Sequence, residues 1–293
     1  MTSRQKVRKA VLPVGGMGTR FLPATKAVPK EMLVVVDKPL IQYAVEEARA
    51  AGIEEIIFVT GRGKTVIEDH FDHSFELESM LTARRKHDVL AELKSILPEE
   101  GNIAYIRQQV PLGLGHAVWC ARALVGDQPF AVILADDLVQ SETPCLAQMM
   151  ETYEEVGGNI VGIAEAPSDK TDRYGIIDPG KIKGRTVEVK GLIEKPSPDL
   201  APSGLAVIGR YILQPEVFQF LSKKRKGAGG EIQLTDALAS LIGKQPFHGY
   251  RFEGTRFDCG DKAGLLKANI AYALARQELA DELKIYLRSL KLD

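Results

Sequence analysis

Residues 15 to 33, GGMGTRFLPATKAVPKEML, follow a short apolar run and carry groups suited to anion chemistry. Gly15, Gly16 and Gly18 can take backbone angles closed to other residues and turn their amide N–H groups toward an anion. Arg20, Lys26 and Lys30 follow on the same loop. Three cations around a nest of amides suit a nucleotide triphosphate better than they suit a plain strand-to-helix turn. Glycine pairs alone would not separate those two readings; the added cations favour the phosphate site. A dinucleotide fingerprint is excluded, because its third glycine would fall on Phe21. In FVTGRGKT the end Gly63-Lys64-Thr65 imitates a phosphate-binding P-loop, but that loop's first glycine would fall on Phe58. This second turn is expected to be structural, with Lys64 a solvated lysine at a helix start.

Other reactive side chains are fewer. Asp136-Asp137 follows the apolar run Phe130 to Ala135 and suits either a metal ligand or a strand-end turn. Beside a phosphate loop the metal reading is favoured. His70 and His73 share a helix face, but zinc needs a third protein ligand and none is signalled, so an exposed helix is expected. His116 begins a helix and reads as structural. Lys223 to Lys226, before Gly227-Ala228-Gly229-Gly230, reads as a solvated helix end and a mobile loop with no catalytic role. Cys120, Cys145 and Cys259 are far apart, without CxxC spacing, and read as reduced thiols.

The elements that must position these groups follow from periodicity. Short β-branched runs (Val7–Val14, Glu54–Thr60, Ile103–Arg107, Phe130–Ala135) alternate with helical patterns at Leu40–Ala51 and His116–Leu124. Such βαβ order predicts an α/β fold with a mainly parallel, mixed central sheet flanked by helices. Residues 75 to 97 have apolar spacing that predicts an inserted helical hairpin or one long helix. After Gly157 the strands Asn159–Glu165, Gly175–Asp178, Thr186–Ile193 and Leu205–Leu213 come closely spaced, which predicts a smaller α+β, more antiparallel portion. Residues 261 to 290 read as helix, with a leucine stripe that packs on the core or on a partner subunit. Lysine plus arginine (38) balances aspartate plus glutamate (39), so no overall field points to nucleic acid or an anionic membrane. No signal-peptide core and no apolar run near ~20 residues is visible, so a cytoplasmic protein is expected.

Taken in order, the glycine loop and the segments RQQVPLGLGHAV (107–118), ILADDLV (133–139), RYGII (173–177), IEKP (193–196), GRYIL (209–213), GGEIQLTDAL (229–238) and RFDCGDK (256–262) resemble the sugar-1-phosphate nucleotidyltransferases. The second and seventh of these eight segments favour the branch that uses UTP and glucose 1-phosphate. The resemblance implies a Rossmann-like domain over residues 1–293. Residues 1–140 would mainly hold nucleotide and 141–262 sugar phosphate, with 263–293 a helical end. It implies that Gly15, Gly16, Gly18 and Thr19 cradle the UTP phosphates, with Arg20 and Lys30 on the departing pyrophosphate. Gln108 and Gly113 would clamp uracil. Gly175, Glu194, Val207 and Tyr211 would meet the sugar, Asp137 and Glu231 would be further substrate contacts, and Lys195 would hold the glucose 1-phosphate phosphate. Asp136 and Asp258 would bind Mg²⁺. The implied assembly is a homo-oligomer, dimer or tetramer. The family often has an alanine-glycine pair at residues 15 and 16 and a proline within the segment at 33–39; the second departure puts one local turn in doubt. The attacking phosphate oxygen is already anionic, so positioning and charge neutralisation would be the whole of catalysis. Two alternatives remain: a uridylyl- or thymidylyltransferase acting on another hexose 1-phosphate, or a non-catalytic regulatory homologue.

Overall fold

The computed structural model describes residues 4–290. The first half runs β1 (Lys9–Val14), β2 (Val34–Val35), β3 (Lys38–Pro39), α1 (Leu40–Ala50), β4 (Glu55–Thr60), α2 (Thr65–His70), α3 (Phe75–Ala83), α4 (His87–Ser95), β5 (Ile103–Arg107), α5 (Leu114–Cys120), α6 (Arg122–Val125) and β6 (Phe130–Ile133). There follow β7 (Asp137–Gln140), α7 (Cys145–Val156), β8 (Asn159–Glu165), β9 (Gly175–Lys183), β10 (Thr186–Glu194), β11 (Leu205–Leu213), α8 (Val217–Leu221), α9 (Leu234–Ala239), β12 (Phe247–Arg251), β13 (Thr255–Asp258), α10 (Lys262–Leu274) and α11 (Gln277–Ser289).

A nine-stranded sheet in the order β5-β4-β1-β6-β11-β8-β12-β10-β9 forms the centre. β5, β4, β1 and β6 are parallel to one another. Their near-continuous apolar sequence reflects burial on both faces; every residue of β6 is buried. β11 lies antiparallel between β6 and β8, and β9 and β10 form a long antiparallel hairpin. The mixed sheet is therefore parallel at its first edge and largely antiparallel at its second. One apolar cluster covers each face: Ile41, Ala44, Leu146 and Met149 of α1 and α7 on one side, and Ala117, Leu234 and Leu238 of α5 and α9 on the other.

Residues 75–95 form two helices, α3 and α4, so of the two expected forms the insertion takes the hairpin. Two other expectations are corrected in detail. The helix expected from His116 starts at Leu114 and breaks at Ala121. Its early start follows from a partner outside the helix, because the first-turn N–H of Gly115 donates to the Ile232 carbonyl at 2.8 Å. The C-terminal helix is divided at Arg276, whose extended backbone lets the guanidinium pair with Asp37. Of its apolar residues, Leu265 and Ala268 pack against Val35, Leu40 and Leu138, while Leu266, Ile270 and Ile285 face solvent. In the β2–β3 turn, two residues after Val34, where the family's proline would stand, Val36 has φ 61°. A β-branched residue is strained there, and the turn is anchored by the Val36 N–H donating to Asn269 Oδ1 at 2.9 Å.

Candidate active site

A cavity of about 570 Å³ opens over the C-terminal ends of β1, β5 and β6, where such sheets gather ligands. All the residues singled out in the sequence for substrate or metal line it, from Gly15 to Asp258. Lys26 of the same loop does not. The glycine loop leaves β1 and turns at Gly18, whose φ of 64° suits glycine and whose carbonyl accepts from Thr25 Oγ1 at 2.7 Å. A β-carbon on Gly16 would stand 3.3 Å from Lys30 Cε, so the loop lies directly against the Lys30 side chain.

The acidic residues meet because of a second, small sheet. β7 and β13 pair antiparallel with Asp258 opposite Asp137, and the Cys259 N–H donates to the Asp136 carbonyl at 2.7 Å. The two motifs, more than a hundred residues apart in sequence, are thereby joined backbone to backbone. A β-carbon on Gly260 would lie 2.9 Å from Asp136 Oδ2, 3.1 Å from Asp258 Oδ1 and 3.3 Å from Arg20 Nη1. These three groups therefore meet around the Gly260 α-carbon. Asp136 Oδ2 accepts from Lys30 Nζ at 2.6 Å. Burial alone would raise the Asp136 pKa, but the charge and hydrogen bond of Lys30 outweigh it and hold the carboxyl below its usual range. Asp258 moves the other way: burial, then the charges of Asp137 and Asp136, push its pKa up. Among the described residues, no group of three or more histidines, cysteines and carboxylates is arranged to hold a metal. Two converging carboxylates, Asp136 and Asp258, are what the chain offers.

Asp137, which also lines the cavity, has internal partners. Its Oδ2 accepts the Gly209 N–H at 2.8 Å and Arg256 Nη2 at 3.1 Å, and its Oδ1 accepts Arg256 Nε. With both oxygens engaged it braces the site. Arg256 in turn lies over the Tyr174 ring at 5.1 Å, and the Tyr174 hydroxyl donates to Asp258 Oδ2 at 3.3 Å. A second brace is Arg210, fully buried on β11, which grips Glu47 of α1 with two bonds of 2.7 and 2.8 Å and donates to the Leu134 carbonyl at 3.1 Å. It fixes the end of β6 from which Asp136 projects. A charge inside the otherwise apolar LAVIGRYIL was the available signal, since a buried charge is retained only when paired.

At the expected base site, Gln108 Nε2 lies 3.1 Å from both the Gly113 carbonyl and His116 Nδ1. His116, expected to be only structural, therefore orients the Gln108 amide. Burial first, then Lys224, lowers its pKa, which keeps the ring neutral and Nδ1 free to accept. Gly113 has φ 107°, and a β-carbon there would stand 2.8 Å from Glu231 Cβ. Residues 231 and 232 thus close over the base loop, with the Ile232 N–H donating to the Leu112 carbonyl at 2.7 Å. Across the cavity, Lys195 has φ 49°, its N–H donates to the Tyr174 carbonyl at 2.9 Å, and its Nζ is 3.2 Å from Glu194 Oε1. Gly175, Val207 and Tyr211 form the floor beside them.

Lys64 is also corrected. It is 6% exposed, and its Nζ donates to the buried Glu31 carboxylate at 2.7 Å. His70 Nε2 is 3.1 Å from Gln42 Oε1 and His73 Nδ1 2.9 Å from Glu78 Oε1, so neither is arranged for zinc. The three cysteines are unbridged.

Cations on two sides of an acidic pair, beside a loop built for phosphates, are what joining two phosphorylated substrates requires, and with this sheet they define a nucleotidyltransferase. Residues 9–274 match the nucleotidyl transferase family. A UTP–glucose-1-phosphate uridylyltransferase of Bacillus subtilis (strain 168) is 52% identical over 286 residues, 98% of each chain. The solved structure of UTP-bound UGPase from Acinetobacter baumannii superposes with a TM-score of 0.90 at 44% identity, covering 97% of this chain and 100% of that one. A UDP-glucose pyrophosphorylase complexed with UDP-glucose gives 0.85 at 44% identity, covering 92% and 100%. The chain belongs to the nucleotidyl transferase family, on its UTP–glucose-1-phosphate uridylyltransferase branch.

Proposed function

We propose that the protein joins UTP and glucose 1-phosphate into UDP-glucose and pyrophosphate. The observation that carries this reading is the meeting of Asp136, Asp258 and Arg20 around Gly260, with Lys30 on Asp136 and Lys195 across the cavity. The sugar-phosphate oxygen attacks the α phosphorus in line, and pyrophosphate leaves opposite. Lys195 holds the attacking phosphate. Arg20, Lys30 and the amides of Gly15 to Thr19 hold the departing one. The Gln108 amide, with a backbone group of Gly113, reads the imide edge of uracil. Gly175, Glu194, Val207 and Tyr211 hold the glucose, Glu194 accepting from its hydroxyls. Glu231 covers the nucleotide.

The hard oxygen donors of Asp136 and Asp258 fit Mg²⁺, which takes one or two carboxylates and completes its shell with water and phosphate oxygens. When bound, Mg²⁺ would neutralise phosphate charge at the reacting centre. Lys30 occupies Asp136 in this structure, so the ammonium must turn to phosphate for that carboxylate to serve a metal.

Residues 1–140 are proposed as the nucleotide half, 141–262 as the sugar-phosphate half and 263–293 as a helical end; of these, 1–3 and 291–293 lie outside the described residues. The exposed Leu266, Ile270 and Ile285 support a homo-oligomer, dimer or tetramer. The substrates are those of cytoplasmic metabolism, and we place the protein there. Among the described residues no helix is long and apolar enough to cross a membrane. The decisive experiment measures pyrophosphate release from UTP and glucose 1-phosphate, with Mg²⁺ and with excess chelator. Release that stops on chelation is expected; no release with Mg²⁺ present would overturn the reading.

A further inference from the structure

The imitation P-loop is used after all, but from behind. Lys64 ends the turn after β4, and its side chain crosses beneath the glycine loop to Glu31, which is 1% exposed. Glu31 sits in the single helical turn Lys30–Met32, closed by the Met32 N–H to the Pro29 carbonyl at 2.9 Å and the Leu33 N–H to the Lys30 carbonyl at 3.1 Å. α2, which begins one residue after Lys64, packs on this turn. Its Ile67 and the turn's Met32 join the same apolar cluster. The charges alternate along one line: Lys64, Glu31, Lys30, Asp136, with bonds of 2.7 Å at one end and 2.6 Å at the other.

We propose, resting on the function above, that Glu31 and Lys64 are positioning residues for Lys30. Lys64 holds the Glu31 carboxylate under the loop, which fixes the Lys30 turn and keeps a fixed anion out of the space where phosphates enter. Glu31, next in the chain to Lys30, adds its charge to that of Asp136 on the ammonium without bonding it. Removing the pair takes away that charge and leaves the turn beneath Lys30 slack. Burial raises the Glu31 pKa while the charges of Lys30 and Lys64 oppose it, so the carboxylate depends on both ammoniums for its ionised state. The other oxygen, Oε1, has no hydrogen-bond partner, which makes Lys64 the partner the carboxylate has in hydrogen bonding.

The test uses Lys64→Arg, Lys64→Met and the neutral pair Glu31→Gln with Lys64→Met. Each is assayed for kcat and KM with both substrates, for UTP binding by calorimetry and for Tm. The expected result is a fall of about tenfold or more in kcat/KM for UTP in Lys64→Met, with KM for glucose 1-phosphate within about twofold of the parent, and recovery to within about threefold in Lys64→Arg. Should Lys64→Met not fold, the neutral pair leaves no uncompensated buried charge and keeps the volumes. Folded, it is expected to keep the tenfold deficit for UTP. A folded neutral pair with parental kcat/KM for UTP would overturn the proposal, as would equal losses for both substrates that track Tm. Failure of the function itself would show separately, as a parent protein that binds UTP but releases no pyrophosphate; the calorimetric comparison of variants would still decide the role of the pair.

Discussion

The two sides of the cavity are built differently. On the nucleotide side the polar groups already have partners: Lys30 on Asp136, Lys64 on Glu31, Gln108 on His116. On the sugar-phosphate side Lys195 has only its neighbour Glu194 at 3.2 Å, and its side chain is 43% exposed. The first side draws its residues from the parallel strands β1, β4, β5 and β6, whose ends are covered by helices. The second comes from the antiparallel hairpin β9–β10, with Lys195 beyond its end open to solvent, and from the buried β11. Binding on the first side exchanges internal partners for ligand, so its geometry is set in advance at the cost of the exchange. Binding on the second side displaces mainly water. Substitutions on the first side should therefore disturb several residues at once, and those on the second should act locally.

The largest effect is expected where the two sides meet. Asp136→Asn and Asp258→Asn each keep shape and remove charge, and each should lower kcat by roughly two orders of magnitude or more. Because both face Gly260, Asp258 from the end of β13 and Asp136 from just before its partner strand β7, the double variant should be little worse than the poorer single. Fully additive losses in steady-state rates would separate them into independent roles. Near-parental activity of either single at limiting Mg²⁺ would remove that residue from the metal site.

Next in size is the open side. Lys195→Ala should lower kcat/KM for glucose 1-phosphate by roughly tenfold to a hundredfold, since a charge-assisted contact to phosphate is lost. UTP affinity, followed by calorimetry, should stay within about twofold. An equal fall in UTP affinity would move Lys195 to the triphosphate side and erase the contrast between the two halves.

This contrast also governs what could be read from the sequence. Gly15 to Lys30 and the Asp136 strand end were legible because glycine and aspartate at strand ends serve few purposes. The resemblance then carried Gln108, Lys195, Glu194 and Asp258 onto their positions, and all of them line the cavity. Of the braces only Arg210 leaves a mark in the sequence, as a charge within an apolar run. Arg256, Arg210 and Tyr174 act through partners brought near by pairings of distant strands, and nothing local in sequence encodes the Asp258–Asp137 register. Lys64 was misread for a related reason: after Gly61-Arg62-Gly63 it looks like a solvated helix start, and only the position of Glu31 across the fold buries it. In the same way the Gly113 to Gly115 turn fixes where α5 begins through Ile232, far along the chain.

The smallest effect expected is also the most specific to the prearranged side. His116 accepts from or faces the Gln108 amide through Nδ1 only while the ring is neutral. His116→Phe keeps an aromatic ring in the same place and removes that partner, so the Gln108 amide should lose its fixed orientation. A single net hydrogen bond is worth about 1 kcal/mol, so KM for UTP should rise about fivefold, with KM for glucose 1-phosphate unchanged. The pH dependence gives an independent reading. In the folded chain the His116 pKa is lowered below 6.5, chiefly by burial, so the unfolded chain takes up this proton first as pH falls. The stability the neutral ring contributes is therefore complete above 6.5 and declines as pH drops from there toward the lowered folded value. UTP affinity should fall only nearer that lower value, when the folded ring itself protonates and Nδ1 turns from acceptor to donor. His116→Phe should flatten this part of the profile for UTP and leave that for glucose 1-phosphate as it was. If the UTP profile of the variant kept the parental acid limb, the limb would belong to another group, and His116 would be a packing residue with no hold on Gln108.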